Sequence, residues 1–350
     1  MSEQIGSLSR PAATVSSMPP SPEAKGRTDV WAIVLAGGEG VRLRPLLREV
    51  IGDERPKQYA KLLGDRTLLR QTLDRVGIAI RPECTMLVTM RLHARYIAEE
   101  FPGSGPTPHL LAQPCDRGTA AAILYAATRI VWRCPEAMVA IFPSDHFILG
   151  EATFMGYVAE LTAWVRAHPE RLVLVGARPT SPEVEYGWVE PGEQLGDVST
   201  GPVHTVRQFW EKPSLGRAER CLAAGYLWNT SVIVGKASTV LHLGARGLPA
   251  VTERLAQLER VVGTPDEAWA IQQAFELLPK ANFSRAVLEA CPDALAVSRL
   301  PRLAWSDLGN PRRVMEVVNR MRIRPAWATT LLPLRDAFAR ETMPATSAAV

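Results

Sequence analysis

From residue 30 to residue 177, short β-branched runs alternate with longer stretches of helical periodicity. Few folds accept that rhythm, because strands separated by helices pair in parallel and need cover on both faces; it is the pattern of a doubly wound, mostly parallel α/β sheet. The spacing predicts strands over Val30–Ala36, Cys84–Met90, His109–Gln113, Ala137–Phe142 and Arg171–Ala177. Helices are predicted near Thr67–Val76, His93–Phe101, Thr119–Trp132 and Thr153–Ala167. Ligands of such sheets sit beyond the carboxyl ends of the strands, so chemistry is expected just after Ala36, Gln113 and Phe142. After about Pro179 the rhythm changes to extended segments at Tyr186–Glu190, Val203–Glu211 and Leu227–Gly235 and a helix-rich stretch from Ala237 to Ala290. A further strand over Ala294–Leu300 and a closing helix over Pro311–Met321 follow.

Composition narrows the class of partner. With 40 Lys+Arg against 36 Asp+Glu, the net charge of +4 is too even for a nucleic-acid binder and suits small anionic substrates. Cysteines 84, 115, 134, 221 and 291 are odd in number and scattered, so neither a disulfide framework nor a structural zinc site is indicated. Residues 1–28 are rich in Ser, Pro and Ala and lack the apolar core of a secretory signal, which reads as a disordered leader. Residues 323–350 read as a tail whose last residues fray. No run approaches the roughly 18 apolar residues of a membrane span, so the expectation is a soluble, cytoplasmic protein with no membrane partner.

The first strand delivers the chain into Gly37-Gly38-Glu39-Gly40, where absent Cβ atoms let backbone N–H groups approach a ligand's phosphates. Arg42, Arg44, Arg55, Lys57 and Lys61 follow, and one or two of them could neutralise a triphosphate; a solvated basic turn is the alternative. Leu43 stands where a dinucleotide-binding loop needs its third glycine, and no G-x-x-x-x-G-K-[ST] string occurs, which disfavours a Rossmann dehydrogenase and an ordinary P-loop NTPase. Asp145, in Pro143-Ser144-Asp145-His146, falls at the carboxyl edge of the sheet, and Asp307, in Trp305-Ser306-Asp307-Leu308-Gly309, is a second carboxylate from far along the chain. Each is either a magnesium ligand or a helix N-cap. Glu211-Lys212 ends a strand and Trp228-Asn229 opens the next, so they either face a sugar phosphate or form a surface ion pair.

Read in order, these strings resemble the mannose-1-phosphate guanylyltransferase family of nucleotide-sugar pyrophosphorylases. The resemblance runs through Leu35-Ala36-Gly37-Gly38-Glu39-Gly40-Val41-Arg42, Arg55-Pro56-Lys57-Gln58-Tyr59, Gln113-Pro114 with Arg117-Gly118-Thr119-Ala120, Pro143-Ser144-Asp145-His146, Tyr186-Gly187-Trp188, Phe209-Trp210-Glu211-Lys212-Pro213, Trp228-Asn229 and Trp305-Ser306-Asp307-Leu308-Gly309. It implies a Rossmann-like nucleotidyltransferase fold over 29–322, with a nucleotide-binding half at 29–178 and a sugar-phosphate-binding half at 179–322. Leu35, Ala36, Gly37, Gly38, Gly40, Gln113, Gly118 and Thr119 would hold the nucleotide, and Arg42 and Lys57 its phosphates. Asp145 and Asp307 would hold Mg2+, and Gly187, Glu211, Lys212 and Asn229 would receive the sugar 1-phosphate. The implied reaction joins GTP and mannose 1-phosphate into GDP-mannose and pyrophosphate, in a chain whose assembly state is compatible with a homodimer.

Three departures stand out. The connection Leu46 to Glu54 is longer than the family's usual spacing, Gly118 stands where many members carry Asn, and Thr230-Ser231 replaces the usual Ser-Gly after Trp-Asn. Nothing after Arg322 is long enough for an isomerase domain, so no phosphomannose isomerase activity is expected. The alternatives are a pyrophosphorylase for UTP or dTTP with glucose 1-phosphate, and a non-catalytic nucleotide-sugar-binding module.

Overall fold

In the computed structural model of the protein, which describes residues 29–103 and 105–329, the apolar run β1 (Val30–Leu35) is the axis on which the first half of the sheet is built. The leader expected over 1–28 and the tail from residue 330 onward lie outside the described residues. After β1 come α1 (Arg44–Ile51), α2 (Leu68–Val76), β2 (Thr85–Met90), α3 (Ala94–Glu100), β3 (His109–Gln113), α4 (Gly118–Arg133) and β4 (Met138–Pro143). A two-residue β5 (Phe147–Ile148) precedes α5 (Glu151–Ala167) and β6 (Leu172–Ala177). The second half holds β7 (Gly187–Val198), β8 (Gly201–Glu211), α6 (Leu215–Ala223), β9 (Leu227–Lys236), α7 (Ala237–Gly247), α8 (Pro249–Ala256), α9 (Glu267–Leu277), β10 (Leu295–Arg299), β11 (Trp305–Ser306) and α10 (Pro311–Arg320).

The main sheet has nine strands in the order β3-β2-β1-β4-β9-β6-β10-β8-β7. Strands β9 and β8 run against the others, so the doubly wound, mostly parallel sheet expected from the sequence is present with two reversed strands in its second half. Expected elements fall within a residue or two of their predicted bounds with two exceptions. Strand β7 continues past Glu190 to Val198 through irregular register around Pro191, because it pairs with β8 as a long hairpin. The long connection Leu46–Glu54 mostly forms α1, which has Pro45 in its first turn and ends on Gly52 at φ 73°.

Two packing units position the site. Helix α4 is buried along Ala120–Thr128 because it packs against β1 and β2 and also against α7 and α8. A separate cluster joins Leu43, Leu46, Leu47, Leu62 and Leu68 to Phe147, Leu308, Val314, Val317 and Trp327. The Trp327 indole donates to Leu62 O at 3.1 Å, which fastens the chain after α10 onto the segment that follows the glycine turn. Strands β5 and β11 pair through Phe147↔Ser306 and Ile148↔Trp305, and that pairing brings Asp145 and Asp307 to the same place. Among the described residues no helix is long and apolar enough to cross a membrane, and the five cysteines form no disulfide.

Candidate active site

Ala36 and the glycine turn leave β1 and are held from below by the single helical turn Lys57–Tyr59. The Gln58 amide donates to Ala36 O at 2.9 Å and to Gly38 O at 2.8 Å, and the Tyr59 hydroxyl lies 3.2 Å from Ala36 O. Gly40 adopts φ 61°, and a Cβ there would stand 3.0 Å from the Lys57 backbone nitrogen. A Cβ at Gly38 would meet nothing within 4 Å, so Gly38 is the member of the turn that leaves room for an incoming group. Gly37 borders Gln113, which is 3% exposed at the end of β3 and whose Oε1 has no hydrogen-bond partner among the described residues. A buried amide oxygen left without a donor is costly, so this acceptor is available to a polar group brought in by a ligand.

Lys57 is buried and fully engaged. Its ammonium lies 3.1 Å from Asp145 Oδ2 and donates to Asp307 O at 2.7 Å and to Leu308 O at 3.3 Å. It therefore ties together the two carboxylate-bearing segments, 145 and 307, beneath the glycine turn. Arg42 is partly exposed and pairs with Glu185.

Asp307 is 9% exposed and heavily bonded: Oδ1 accepts from the Tyr186 hydroxyl at 2.7 Å, Gly309 N at 3.0 Å and Arg313 Nη1 at 2.9 Å. Its Oδ2 accepts from Arg313 Nη1 at 2.8 Å. Burial on its own would raise this carboxyl, but the neighbouring His146, Arg313 and Lys57 outweigh it and hold Asp307 below the ordinary aspartate range. Burial pushes the His146 imidazole down from its ordinary value, against the opposing pull of Asp145 and Asp307. Asp145 is freer: its Oδ1 faces His146 Nε2 at 3.8 Å, beyond hydrogen-bond reach.

In the second half of the chain, Gly187 and Glu211 are register partners across β7 and β8. A Cβ at 187 would stand 2.8 Å from the Phe209 ring, 3.1 Å from Glu211 Oε2 and 3.2 Å from Asn229 Cβ, so glycine is what lets these three groups converge. Burial pushes the Glu211 carboxyl up from its ordinary value, with Lys212 and Arg285 opposing. A cavity of about 210 Å³ is lined by Glu211, Lys212, Asn229 and Gly187, and also by Leu35, Thr119 and Asp307. Gly118 and Thr119 serve partly as a dock: a Cβ at 118 would lie 2.2 Å from Ala281 O, and Thr119 Oγ1 accepts from Phe283 N at 2.9 Å. That docking carries Asn282 to the cavity wall.

The family profile described as Nucleotidyl transferase matches residues 31–322, the span that builds both walls of this crevice. The chain belongs to the nucleotidyl transferase family. Among similar family members, a Xanthan biosynthesis protein XanB of Xanthomonas campestris pv. campestris (strain B100) is 31% identical over 83% of this chain and 60% of its own length. A mannose-1-phosphate guanylyltransferase of Sinorhizobium fredii (strain NBRC 101917 / NGR234) is 32% identical over 79% of this chain and 52% of its own length. The chain thus spans little more than half the length of these relatives. A crystal structure described as mannose-1-phosphate geranyltransferase from Thermus thermophilus superposes with a TM-score of 0.68 at 30% identity, covering 82% of this chain and 79% of that one.

Sequence reasoning on this nucleotidyl transferase missed Glu185, Tyr186, His146, Ser231 and Asn282 as cavity residues, and Arg313 as the partner of Asp307. Tyr186 and His146 stand inside strings that carry the resemblance, next to Gly187 and Asp145. Arg313 and Asn282 carry no local signal, since each reaches the site only through tertiary packing.

Proposed function

We propose that this chain is a sugar-phosphate nucleotidyltransferase that converts GTP and mannose 1-phosphate into GDP-mannose and pyrophosphate. The observation that carries the reading is the cavity in which the acceptor groups Glu211, Lys212 and Asn229 meet Leu35 and Thr119 of the nucleotide side and the Asp307 carboxylate. The names of the relatives support the guanine and mannose pair.

The reaction needs no enzyme nucleophile. A phosphate oxygen of the sugar 1-phosphate attacks the α-phosphorus of the triphosphate, the new P–O bond forms in line with the one that breaks, and the β- and γ-phosphates leave together as pyrophosphate. Gly38 gives the triphosphate room against the turn, and Arg42, which pairs with the cavity residue Glu185, exchanges it for phosphate. Lys212 neutralises the acceptor phosphate while Glu211 and Asn229 hold the sugar. Gln113 offers its unpaired carbonyl to the base.

Mg2+ fits this donor set. Among the described residues no cluster of three or more His, Cys, Asp or Glu could hold a metal, so an ion held by Asp145 and Asp307 would take its remaining ligands from phosphate and water, as magnesium commonly does. Asp145 offers Oδ1, and Asp307 offers Oδ2 if Arg313 yields it. When bound, the ion supplies neutralisation of the charge on the triphosphate. Chromatography of a reaction containing the purified chain, GTP, mannose 1-phosphate and Mg2+ tests the proposal: GDP-mannose is the expected product, and its absence at saturating substrates overturns it.

A further inference from the structure

Four non-glycine residues of the described chain adopt left-handed backbone: Lys212 at φ 53°, Ser231 at φ 62°, Leu308 at φ 48° and Arg322 at φ 52°. That region is sterically unfavourable for a residue with a Cβ and persists where the surroundings impose it. Arg322 follows the end of α10, where its N–H bonds Asn319 O at 3.3 Å in an ordinary helix-end turn. Leu308 aims its carbonyl at the Lys57 ammonium, and Lys212 carries the cation of the acceptor side. Ser231 has no such account in the reaction as described.

The sheet itself produces the strain. Strand β9 pairs with β6 through Leu174↔Ile233 and Gly176↔Asn229, so Thr230, Ser231 and Val232 all stand opposite the single residue Val175. This bulge is built, not loose: the buried Thr230 hydroxyl donates to Val175 O at 2.7 Å, and Ser231 N donates to Asn229 Oδ1 at 3.1 Å. Its result is to turn one side chain outward. From Leu227 to Gly235 every residue of β9 is buried except Ser231, which is exposed and lines the cavity with Glu211, Lys212 and Asn229. Bulges beside active sites characteristically re-aim a side chain in this way.

Taking the proposed sugar-phosphate reading as its basis, we infer that Ser231 is a specificity-determining residue whose hydroxyl hydrogen-bonds a ring hydroxyl of the acceptor sugar. Glycine would fit the backbone better and would leave the cavity wider, whereas serine adds a small donor-acceptor group to the wall that Asn229 and Glu211 also line. The groups around it match a phosphorylated polyol: a cation for the phosphate, and an amide, a carboxyl and a hydroxyl for the ring. Ser231 follows Asn229 by two residues and lines the cavity with Glu211 and Lys212, whereas Gly37, Gly38 and Gly40 do not line it, so the sugar is the part of the substrate pair assigned to its hydroxyl.

The test compares the wild type with Ser231→Gly and Ser231→Ala in steady-state pyrophosphate release from GTP and mannose 1-phosphate with Mg2+. Loss of one neutral hydrogen bond predicts a KM for mannose 1-phosphate raised about three- to tenfold in both variants, with KM for GTP unchanged. Ser231→Gly, freed of the left-handed strain, keeps or raises the melting temperature. An unchanged KM for mannose 1-phosphate in both variants overturns the inference, as does a KM for GTP that rises in step with it. A wild-type chain that releases no pyrophosphate from any nucleoside triphosphate and sugar 1-phosphate overturns the proposed function first, and the inference with it.

Discussion

The Lys57 ammonium stands 3.1 Å from Asp145 Oδ2, joining two residues 88 positions apart in a pair whose lysine side chain is 9% exposed. Because the same ammonium also holds the carbonyls of Asp307 and Leu308, it serves as the bolt between the first half of the sheet and the segment that closes it. Lys57→Ala leaves those acceptors unpaired, so the unfolding free energy should fall by about 2–4 kcal/mol. Denaturant unfolding measures this, and turnover should fall by at least about a hundredfold as Asp145 loses its position. A stable variant with near-normal turnover would show that Lys57 is peripheral.

The glycines separate structural need from ligand room. Gly118→Ala drives a Cβ to 2.2 Å from Ala281 O at φ 80°, so a loss of roughly 2 kcal/mol or more and a lower melting temperature are expected. Gly38→Ala meets nothing within 4 Å, so it should melt with the wild type while raising KM for GTP. Thermal melts of both variants, with KM for GTP measured on Gly38→Ala, check the contrast.

Tyr186→Phe removes the donor that reaches Asp307 Oδ1 at 2.7 Å but keeps the ring under the Arg313 guanidinium, 4.4 Å away. A cost of about 1–2 kcal/mol is expected from the lost charge-assisted hydrogen bond. The half-saturating Mg2+ concentration should shift relative to the wild type, because the carboxylate is then held by Arg313 and Gly309 alone. Titration of Mg2+ against initial rate, beside a denaturant melt, reads both effects.

Asp307 also sets a pH dependence. Its carboxyl is held below the ordinary value, so the unfolded chain binds its proton more readily than the folded one. The stabilisation is therefore fully present above the ordinary aspartate pKa of about 4 and is lost as pH falls through the lower folded value. Comparing denaturant stability of the wild type and Asp307→Asn from pH 8 downward, the gap should stay constant to about pH 5 and narrow below about pH 4. Narrowing between pH 8 and pH 6 would contradict the assignment.

Strands β1, β2 and β4 were legible because they are buried on both faces, which leaves a nearly unbroken apolar signature. The positions of the glycine turn, Asp145 and Gln113 followed from the rule that such sheets bind ligands at their carboxyl ends. Helix α1 carries its own signals in Pro45 and Gly52, which the length of the connection alone does not convey. Arg313 was out of reach because its partners Glu183, Glu185 and Asp307 converge from opposite ends of the second half through folding. The outward turn of Ser231 depends on a register offset between β9 and β6, a property of two strands together that neither segment announces by itself.

The initial rate of pyrophosphate release shows whether one crevice joins GTP to mannose 1-phosphate. Purified chain with Mg2+ should release pyrophosphate faster from GTP with mannose 1-phosphate than from UTP or dTTP with glucose 1-phosphate, and Asp145→Ala should abolish the release. Faster release with UTP or dTTP, or release untouched by Asp145→Ala, would contradict the account.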